Sequence, residues 1–442
     1  MAMARTHAVV IGGSIAGMCA ARVLARSFAR VTVVERDELA DLPEIRKGAP
    51  QGHHVHAMLA EGSRVLEGLF PGFDAELAEA GAPQLQVGKD VGYLATHGWG
   101  RPFEPVILIR AASRPLIEQR VRRRVLATER VSVRSGCGVQ ALRATSGNAR
   151  VSGVTLVGRD GQEERLDADL VVDASGRGTR ARQWLEAMGR AAPSETVVDA
   201  FVGYSTRVYE DVPALTGGWK AVFLAWTPQV TRGGVIFPME GGRWFVTVAG
   251  IAKDYPPADE EGFLAFARSL REPHLSDAIA GARPATEIQA TRSTANRWLH
   301  FERLPDQPPG FVVMGDAACA FNPIYGQGMS VAASGAALLG ELLERDLPAE
   351  KFPRAFQRAL AARLRPVWTM STSADFQLPT TQGERPLSTR AGHAYFNALL
   401  KLATKDPDVT RTLSRVLQLL DPPANLMRPG IALRALAGAL RA

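Results

Sequence analysis

The stretch His7-Ala8-Val9-Val10-Ile11-Gly12-Gly13-Ser14-Ile15-Ala16-Gly17 decides the fold of this chain. Residues 7–11 form a short apolar run with a β-branched core, which predicts a strand that ends at Gly12-Gly13. Apolar residues then recur at helical spacing over 15–29, and residues 31–34 form the next predicted strand. Strand, tight turn, helix and strand make a βαβ unit, which requires a right-handed crossover and a parallel sheet.

The turn matches the dinucleotide fingerprint G-x-G-x-x-G, except that Ser14 replaces the second glycine. The glycines permit a tight turn and close approach of a pyrophosphate, which we expect at the helix N-terminus. Glu35 ends the second strand eighteen residues after Gly17, where a carboxylate accepts hydrogen bonds from an adenosine ribose. We assign the following residues of this unit to cofactor binding: Gly12, Ser14, Ile15, Ala16, Gly17, Glu35 and Arg36.

Composition excludes several other classes of protein. The 442 residues are 46% hydrophobic and 22% charged, which is ordinary for a globular chain of two joined lobes. The net charge is +7, but no stretch of the sequence combines a basic run with interleaved aromatic residues. We therefore expect no nucleic acid partner. Three scattered cysteines favour neither disulfides nor a metal site, and no apolar run is long enough for a membrane span. We therefore expect a cytoplasmic protein.

A second glycine-rich segment follows another apolar strand, Gly310 to Met314, near the far end. Gly315-Asp316-Ala317-Ala318 is followed by Asn322-Pro323-Ile324-Tyr325-Gly326-Gln327-Gly328-Met329, which opens a predicted helix. Here the sequence resembles the FAD-dependent monooxygenase family of para-hydroxybenzoate hydroxylase and squalene epoxidase.

The resemblance implies roles for several of these residues. Asp316 would bind the ribityl chain of FAD, and the loop residues Pro323, Gly326 and Gly328 would lie against the flavin ring. A helix N-terminus near Met329 would stabilise the anionic pyrimidine end of the reduced flavin. No side chain receives a certain catalytic role, because the flavin performs the chemistry.

A third motif, Asp169 to Arg180 (DLVVDASGRGTR), is similar to the second Asp-Gly motif of the same family. The matched positions, Asp173, Gly176 and Arg180, are implicated in cofactor contacts. Arg114 opens a predicted helix where the family has an arginine on the diphosphate side of FAD. Arg46 and Val139 complete the assigned cofactor residues. The segment Pro50 to His56 (PQGHHVH) most resembles the branch of bacterial polyketide and terpenoid epoxidases.

The fold class predicted is α/β: a Rossmann-type FAD-binding domain with a parallel sheet, an inserted antiparallel-sheet substrate domain and a helical C-terminal region. We place the FAD lobe at 1–190 and 291–345, the substrate lobe at 191–290 with a contribution from 80–110, and the helical region at 346–442. Extended, aromatic-rich segments, two of them joined at Glu240-Gly241-Gly242, predict the substrate sheet. Its expected substrate wall is Trp219, Phe223, Trp226, Phe237, Trp244 and Phe245.

The function predicted is insertion of one oxygen atom of O2 into a lipophilic small molecule through a flavin C4a-hydroperoxide. Epoxidation of an alkene in a polyketide or terpenoid is favoured over aromatic hydroxylation, since an alkene needs no dedicated base. NADPH or NADH would reduce the FAD, directly or through a separate flavin reductase. A prenyl double-bond reductase and a non-enzymatic flavin module remain alternatives. A halogenase is disfavoured, because the chain lacks a Trp-x-Trp-x-Ile-Pro string.

Two further segments carry open alternatives. Residues 426–442 (LMRPGIALRALAGALRA) are basic and apolar, and either touch an anionic membrane surface or pack on the protein as a helix. His53, His54 and His56 are close in sequence, but no carboxylate or cysteine cluster completes a metal site. We expect a flavin-facing or structural role for them and no metal.

Overall fold

The computed structural model describes residues 5–387 and 389–440. The strands, in chain order, are β1 His7–Ile11, β2 Arg30–Val34, β3 Gln84–Val87, β4 Val91–Ala95, β5 Gly98–Trp99, β6 Ile107–Arg110, β7 Val131–Arg134, β8 Cys137–Ala144, β9 Val151–Gly158, β10 Glu163–Asp167, β11 Leu170–Asp173, β12 Glu195–Val198, β13 Gly203–Glu210, β14 Ala221–Leu224, β15 Arg232–Pro238, β16 Trp244–Gly250, β17 Arg283–Pro284, β18 Gln289–Thr291, β19 Asn296–Leu299, β20 Phe311–Val313 and β21 Cys319–Ala320. The helices are α1 Ile15–Leu24, α2 Ala60–Leu69, α3 Phe73–Glu79, α4 Arg114–Leu126, α5 Ala181–Ala187, α6 Glu260–Arg268, α7 His274–Ile279, α8 Gly328–Leu343, α9 Phe352–Asp375, α10 Thr389–Ala403, α11 Pro407–Leu417 and α12 Pro429–Leu440.

The predicted parallel sheet is confirmed, with five strands in the order β20-β11-β1-β2-β7. Its central strand β1 is buried along its whole length, as expected of an apolar run covered on both faces. Helices α1 and α8 pack against each other beside it. Because the strands run in the same direction, β1, β2, β11 and β20 deliver the residues that follow them to the same edge of the sheet.

A larger sheet has its main path in the order β17-β13-β16-β15-β14-β4-β5, with β18 paired to β13. The expected hairpin is present: β15 and β16 pair antiparallel on either side of Glu240-Gly241-Gly242. The β14–β4 pair is parallel, because β4 reaches the sheet from an earlier part of the chain. Helices α6 and α7 cover one face, and the other face borders a large cavity.

One local prediction was wrong. The helix predicted over 15–29 ends at Leu24, because the backbone N–H of Ala29 bonds to the carbonyl of Arg5 and turns the chain into β2. Pro366 lies inside α9. The helix continues through it, since the neighbouring Leu364 and Val367 stay buried and compensate for one missing backbone hydrogen bond.

The C-terminal region is helical as predicted, from α9 to α12. Helices α10 to α12 share a small apolar core that includes Leu399, Leu413 and Ile431. In the described part of α12, Arg434 pairs with Asp406, while Leu433 is exposed. A membrane contact through this segment stays a prediction. Among the described residues, no helix has the length and apolarity needed to cross a bilayer.

Candidate functional site

The turn after β1 has room only for glycine at two positions. Gly12 has φ of +103°, and a Cβ there would lie 2.6 Å from the carbonyl oxygen of Ala174. A Cβ on Gly17 would lie 1.8 Å from the carbonyl oxygen of Gly12, so the helix packs directly on the turn. The first hydrogen bond within α1 runs from the Met18 N–H to the Ser14 carbonyl. The preceding N–H groups, at Ile15, Ala16 and Gly17, are therefore free for an anion.

Two arginines and a glutamate surround Ser14. The Ser14 hydroxyl donates to Glu118 Oε1 at 2.6 Å and accepts from Arg114 Nη2 at 2.9 Å. Arg114 Nε donates to the same oxygen at 2.8 Å, and Arg46 Nη2 donates to Glu118 Oε2 at 2.9 Å. Burial raises the pKa of Glu118, but the two guanidinium groups and these hydrogen bonds outweigh burial and hold the pKa at about 2. We call Ser14, Arg46, Arg114 and Glu118 the arginine–glutamate cluster.

Glu35 lies at the end of β2 as predicted and is buried. Its Oε2 accepts from the backbone N–H of Gly13 at 2.6 Å, and its Oε1 accepts from the N–H of Asp37 at 3.0 Å. Arg36 is exposed beside it, and Val139 is half-buried in β8. Ribose binding by Glu35, and the cofactor contacts of Arg36 and Val139, stay predictions.

The second glycine-rich segment, which begins at Gly315, lies against the first one in the fold. A Cβ on Gly315 would lie 2.8 Å from the Cβ of Ala16, so the turn after β20 touches the start of α1. Asp316 follows, half-buried, and its Oδ1 lies 4.0 Å from where a Cβ on Gly328 would stand. Gly326 adopts φ of +66°, which closes the loop that begins at Pro323 and leads into α8. The structure thus brings the first and last predicted motifs together at one edge of the sheet.

Asp173 holds its own loop together. It is fully buried, and Oδ1 accepts from the Ser175 N–H at 2.9 Å and the Ser175 hydroxyl at 2.6 Å. The Thr179 hydroxyl donates to the other oxygen. Burial raises the pKa of Asp173 against the effect of these hydrogen bonds. The carboxylate is therefore occupied within the protein, and a direct cofactor contact at Asp173, Gly176 or Arg180 stays a prediction.

Sequence reasoning missed Arg177 in that same loop. Its guanidinium donates to the carbonyls of Ala295 at 2.8 Å and Phe321 at 2.7 Å, and it interacts electrostatically with Asp316. It thus connects the third motif to the segment just before the Pro323–Gln327 loop. The only signal in the sequence was its position between two glycines.

A cavity of about 1290 Å³ lies between the large sheet and the C-terminal helices. Four predicted wall residues line it: Trp219, Phe223, Trp226 and Phe237. Trp244 and Phe245 do not line it, which corrects the prediction. Trp244 packs on the opposite face with the core under α6 and α7, because side chains alternate along β16. Phe245 is buried in a separate cluster with Val208 and Met239.

The loop from Pro323 to Gln327 forms one end of the cavity. Gln327 is buried, and its Oε1 has no hydrogen-bond partner among the described residues. Tyr325 also lines the cavity, and its hydroxyl donates to Asp375 Oδ1 at 2.7 Å. Asp375 is completely buried at the end of α9, and its Oδ2 accepts from Asn296 Nδ2 at 2.6 Å. Burial raises the pKa of Asp375 to about 6 although these hydrogen bonds oppose it.

The histidines flank the same cavity. His54 Nδ1 lies 2.9 Å from the hydroxyl of Thr206, and its ring packs edge-on against Tyr204. His56 lines the cavity, with Nδ1 at 2.9 Å from the carbonyl oxygen of His54. Burial lowers the pKa of His54 to about 4 and that of His56 to about 3, so both rings are neutral near pH 7.

These features fit FAD. The glycine turn and free helix N–H groups would hold the pyrophosphate, with Arg46 and Arg114 adjacent. Asp316 would bind the ribityl chain. The unpartnered Gln327 oxygen and the backbone of the loop would face the flavin ring at the cavity end.

Comparison with known proteins agrees with this geometry. Residues 5–371 match the family model described as an FAD binding domain. The chain is 34% identical to Protein Rv3254 of Mycobacterium tuberculosis, covering 99% of this chain and 94% of that protein. It is 27% identical to violacein synthase of Chromobacterium violaceum, covering 77% and 78% of the two chains. The structure of the flavin-dependent brominase Bmp2 aligns with a TM-score of 0.71 at 16% identity, covering 99% of this chain and all of that one, and shows the shared fold. The chain therefore belongs to the FAD-dependent monooxygenase family of para-hydroxybenzoate hydroxylase.

Proposed function

We propose that this enzyme epoxidises an alkene in a lipophilic polyketide or terpenoid, using one oxygen atom of O2. The second oxygen atom leaves as water, and NADPH or NADH supplies the two electrons, directly or through a separate flavin reductase. Bound FAD supplies the activation of oxygen. The protein binds and orients the substrate and excludes water around it.

The observation that carries the proposal is the apolar cavity that ends at the Pro323–Gln327 loop. Its volume of about 1290 Å³ exceeds that of a common small-molecule pocket, which is on the order of 300–1,000 Å³. Aromatic side chains from β14 and β15, such as Phe223 and Phe237, form one wall. Small and apolar residues of α9 and α10, such as Ala361 and Leu400, form the opposite wall. A bulky apolar substrate suits these walls.

Hydroxylation of a phenol is the second candidate, and the Tyr325–Asp375 pair favours it. An ionised phenol reacts faster with an electrophilic oxygen than a neutral one, so a hydroxylase benefits from a base at the cavity. Tyr325 could accept the phenol proton at its hydroxyl oxygen while its own proton passes to Asp375 Oδ1. An alkene needs no such step.

The experiment is incubation of the reduced, FAD-loaded enzyme with a panel of polyene polyketides, terpenoids and polycyclic phenols under ¹⁸O2. Mass spectrometry would detect one ¹⁸O atom per product molecule. An epoxide from an alkene supports the leading candidate, and a phenol that gains a hydroxyl supports the second. A product that gains two hydrogens and no ¹⁸O would contradict both and point to a reductase.

A further inference from the structure

In the arginine–glutamate cluster, the arginines that are expected to bind the pyrophosphate already form ion pairs with acidic side chains. Arg46 Nη2 and Arg114 Nε bind opposite oxygens of Glu118, at 2.9 Å and 2.8 Å. Arg46 Nη1 also lies 3.3 Å from Asp37 Oδ2 and 3.5 Å from Glu35 Oε2. Both guanidinium groups of the cluster are therefore already paired with carboxylates, those of Glu118, Asp37 and Glu35.

Burial makes these pairings costly to break. The side chains of Arg46 and Glu118 are each 8% exposed, and that of Arg114 is 13% exposed. Solvent screening is weak there, and a buried charge that loses its partner is destabilising. Glu118 has a pKa of about 2, so it stays ionised across the physiological range. Both arginines are thus held by acidic side chains within the protein.

The same cluster touches the place where the pyrophosphate is expected. Ser14 immediately precedes α1, next to the N–H groups of Ile15 and Ala16, and its hydroxyl donates to Glu118 and accepts from Arg114 instead of capping the helix. An incoming pyrophosphate would therefore compete with the Glu118 carboxylate for the same guanidinium groups. It would also be repelled by that carboxylate.

We propose that Glu118 is an internal counter-anion that occupies the FAD pyrophosphate arginines in the apoprotein, keeps the empty site folded and weakens the affinity for FAD. The cofactor then exchanges with free FAD instead of remaining permanently bound. This inference concerns cofactor loading and does not depend on the substrate or on the type of oxygenation.

The decisive variant is Glu118→Gln, which keeps the size of the side chain and removes its charge. The freed guanidinium groups should bind the pyrophosphate more tightly, so the Kd for FAD should fall by about tenfold or more. The apoprotein should unfold at a lower temperature than the wild type, because Arg46 and Arg114 lose their counter-charge. Added FAD should raise that temperature more than it does for the wild type.

The measurement is titration of apoprotein with FAD, followed by flavin fluorescence and calorimetry, together with thermal unfolding with and without FAD. Glu118→Asp keeps the charge and should retain an affinity near that of the wild type. Glu129→Gln, at an exposed position just after the same helix, is the matched control. An unchanged or weaker affinity in Glu118→Gln would overturn the proposal, and so would equal tightening in Glu118→Asp.

A variant that folds only with FAD is tested as the holoprotein. The rate at which FAD leaves Glu118→Gln is then compared with that of the wild-type holoprotein. A slower release supports the proposal, and an equal or faster release overturns it.

Discussion

At the scale of the residue, the cofactor site depends on positions of two kinds. Gly12 and Gly17 were predictable from sequence, because both belong to the dinucleotide fingerprint. A Cβ on Gly17 would collide with the nearby carbonyl of Gly12, and a Cβ on Gly12 would collide with the carbonyl of Ala174, which is distant in sequence. The pairing of Ser14 with Glu118 was not predictable, because 104 residues separate them. The hydrogen bonds from Ser175 and Thr179 to Asp173 were equally unpredictable, since the position of Asp173 in its motif suggested a cofactor contact.

Replacing Gly17 by alanine should abolish FAD binding and destabilise the fold by about 3 kcal/mol or more, because the new Cβ would stand 1.8 Å from the Gly12 carbonyl oxygen. Thermal unfolding and the flavin content of the purified protein measure both effects. Gly178→Ala is the control, since a Cβ there meets no atom within 4 Å. A Gly17→Ala protein that retains FAD would show that this turn is not the binding site.

Replacing Asp316 by asparagine should raise the Kd for FAD by about 10- to 100-fold, because a charge-assisted hydrogen bond to a ribityl hydroxyl becomes a neutral one. Calorimetric titration of apoprotein with FAD measures the change. The exposed Asp277 provides the matched control, Asp277→Asn. If both variants bind FAD like the wild type, Asp316 does not contact the cofactor.

At the scale of the element, strand alternation and helix ends explain what was predicted and what was not. The hairpin of β15 and β16 followed from its glycine turn, and its register places Pro238 opposite Trp244. Alternation places every second side chain of a strand on the same face but does not say which face borders the cavity. The packing of α6 and α7 on one face decides this. That is why Phe237 lines the cavity and Trp244 does not. The hydrogen bond from Tyr325, in the Pro323–Gln327 loop, to Asp375, in α9, joins segments about fifty residues apart and left no pattern in the sequence.

The buried Asp375 makes the stability of the protein depend on pH. Its pKa is about 6 in the folded protein and about 3.9 in an unfolded chain, so between these values only the folded state holds the proton. Stability therefore falls as pH rises through this window and is level above it. Between about pH 4 and pH 7, Asp375→Asn should gain up to about 3 kcal/mol relative to the wild type.

Urea unfolding of both proteins across that range measures the gain. Asp160→Asn, at an exposed turn, should follow the wild-type profile throughout. Parallel profiles for Asp375→Asn and the wild type would mean that Asp375 does not hold a proton in the folded state.

At the scale of the whole molecule, the cavity is assembled from two parts of the chain. The family match over residues 5–371 includes the sheet wall and the Pro323–Gln327 loop. Helices α10 and α11 lie beyond that match and supply much of the opposite wall, through residues such as Phe396 and Leu413. They also share an apolar core of their own with α12.

A chain that ends at Leu387 should therefore bind FAD with unchanged affinity but leave the flavin open to solvent. Iodide should quench the fluorescence of the bound flavin more strongly than in the full chain, because the cavity loses one wall. Fluorescence titration with FAD and then with iodide measures both properties. Loss of FAD affinity, or equal quenching in both proteins, would contradict this division of the molecule.

The position of that wall along the chain has an evolutionary consequence. One wall of the cavity is encoded after the last predicted cofactor residue, in a stretch of its own, whereas the sheet wall lies between the cofactor motifs. A single recombination junction between α9 and α10 could therefore give an established oxygenase a new substrate range in one event, without disturbing a residue that handles the cofactor. Tail exchange between relatives is thus a short route to new oxidation products, both in natural diversification and in the laboratory.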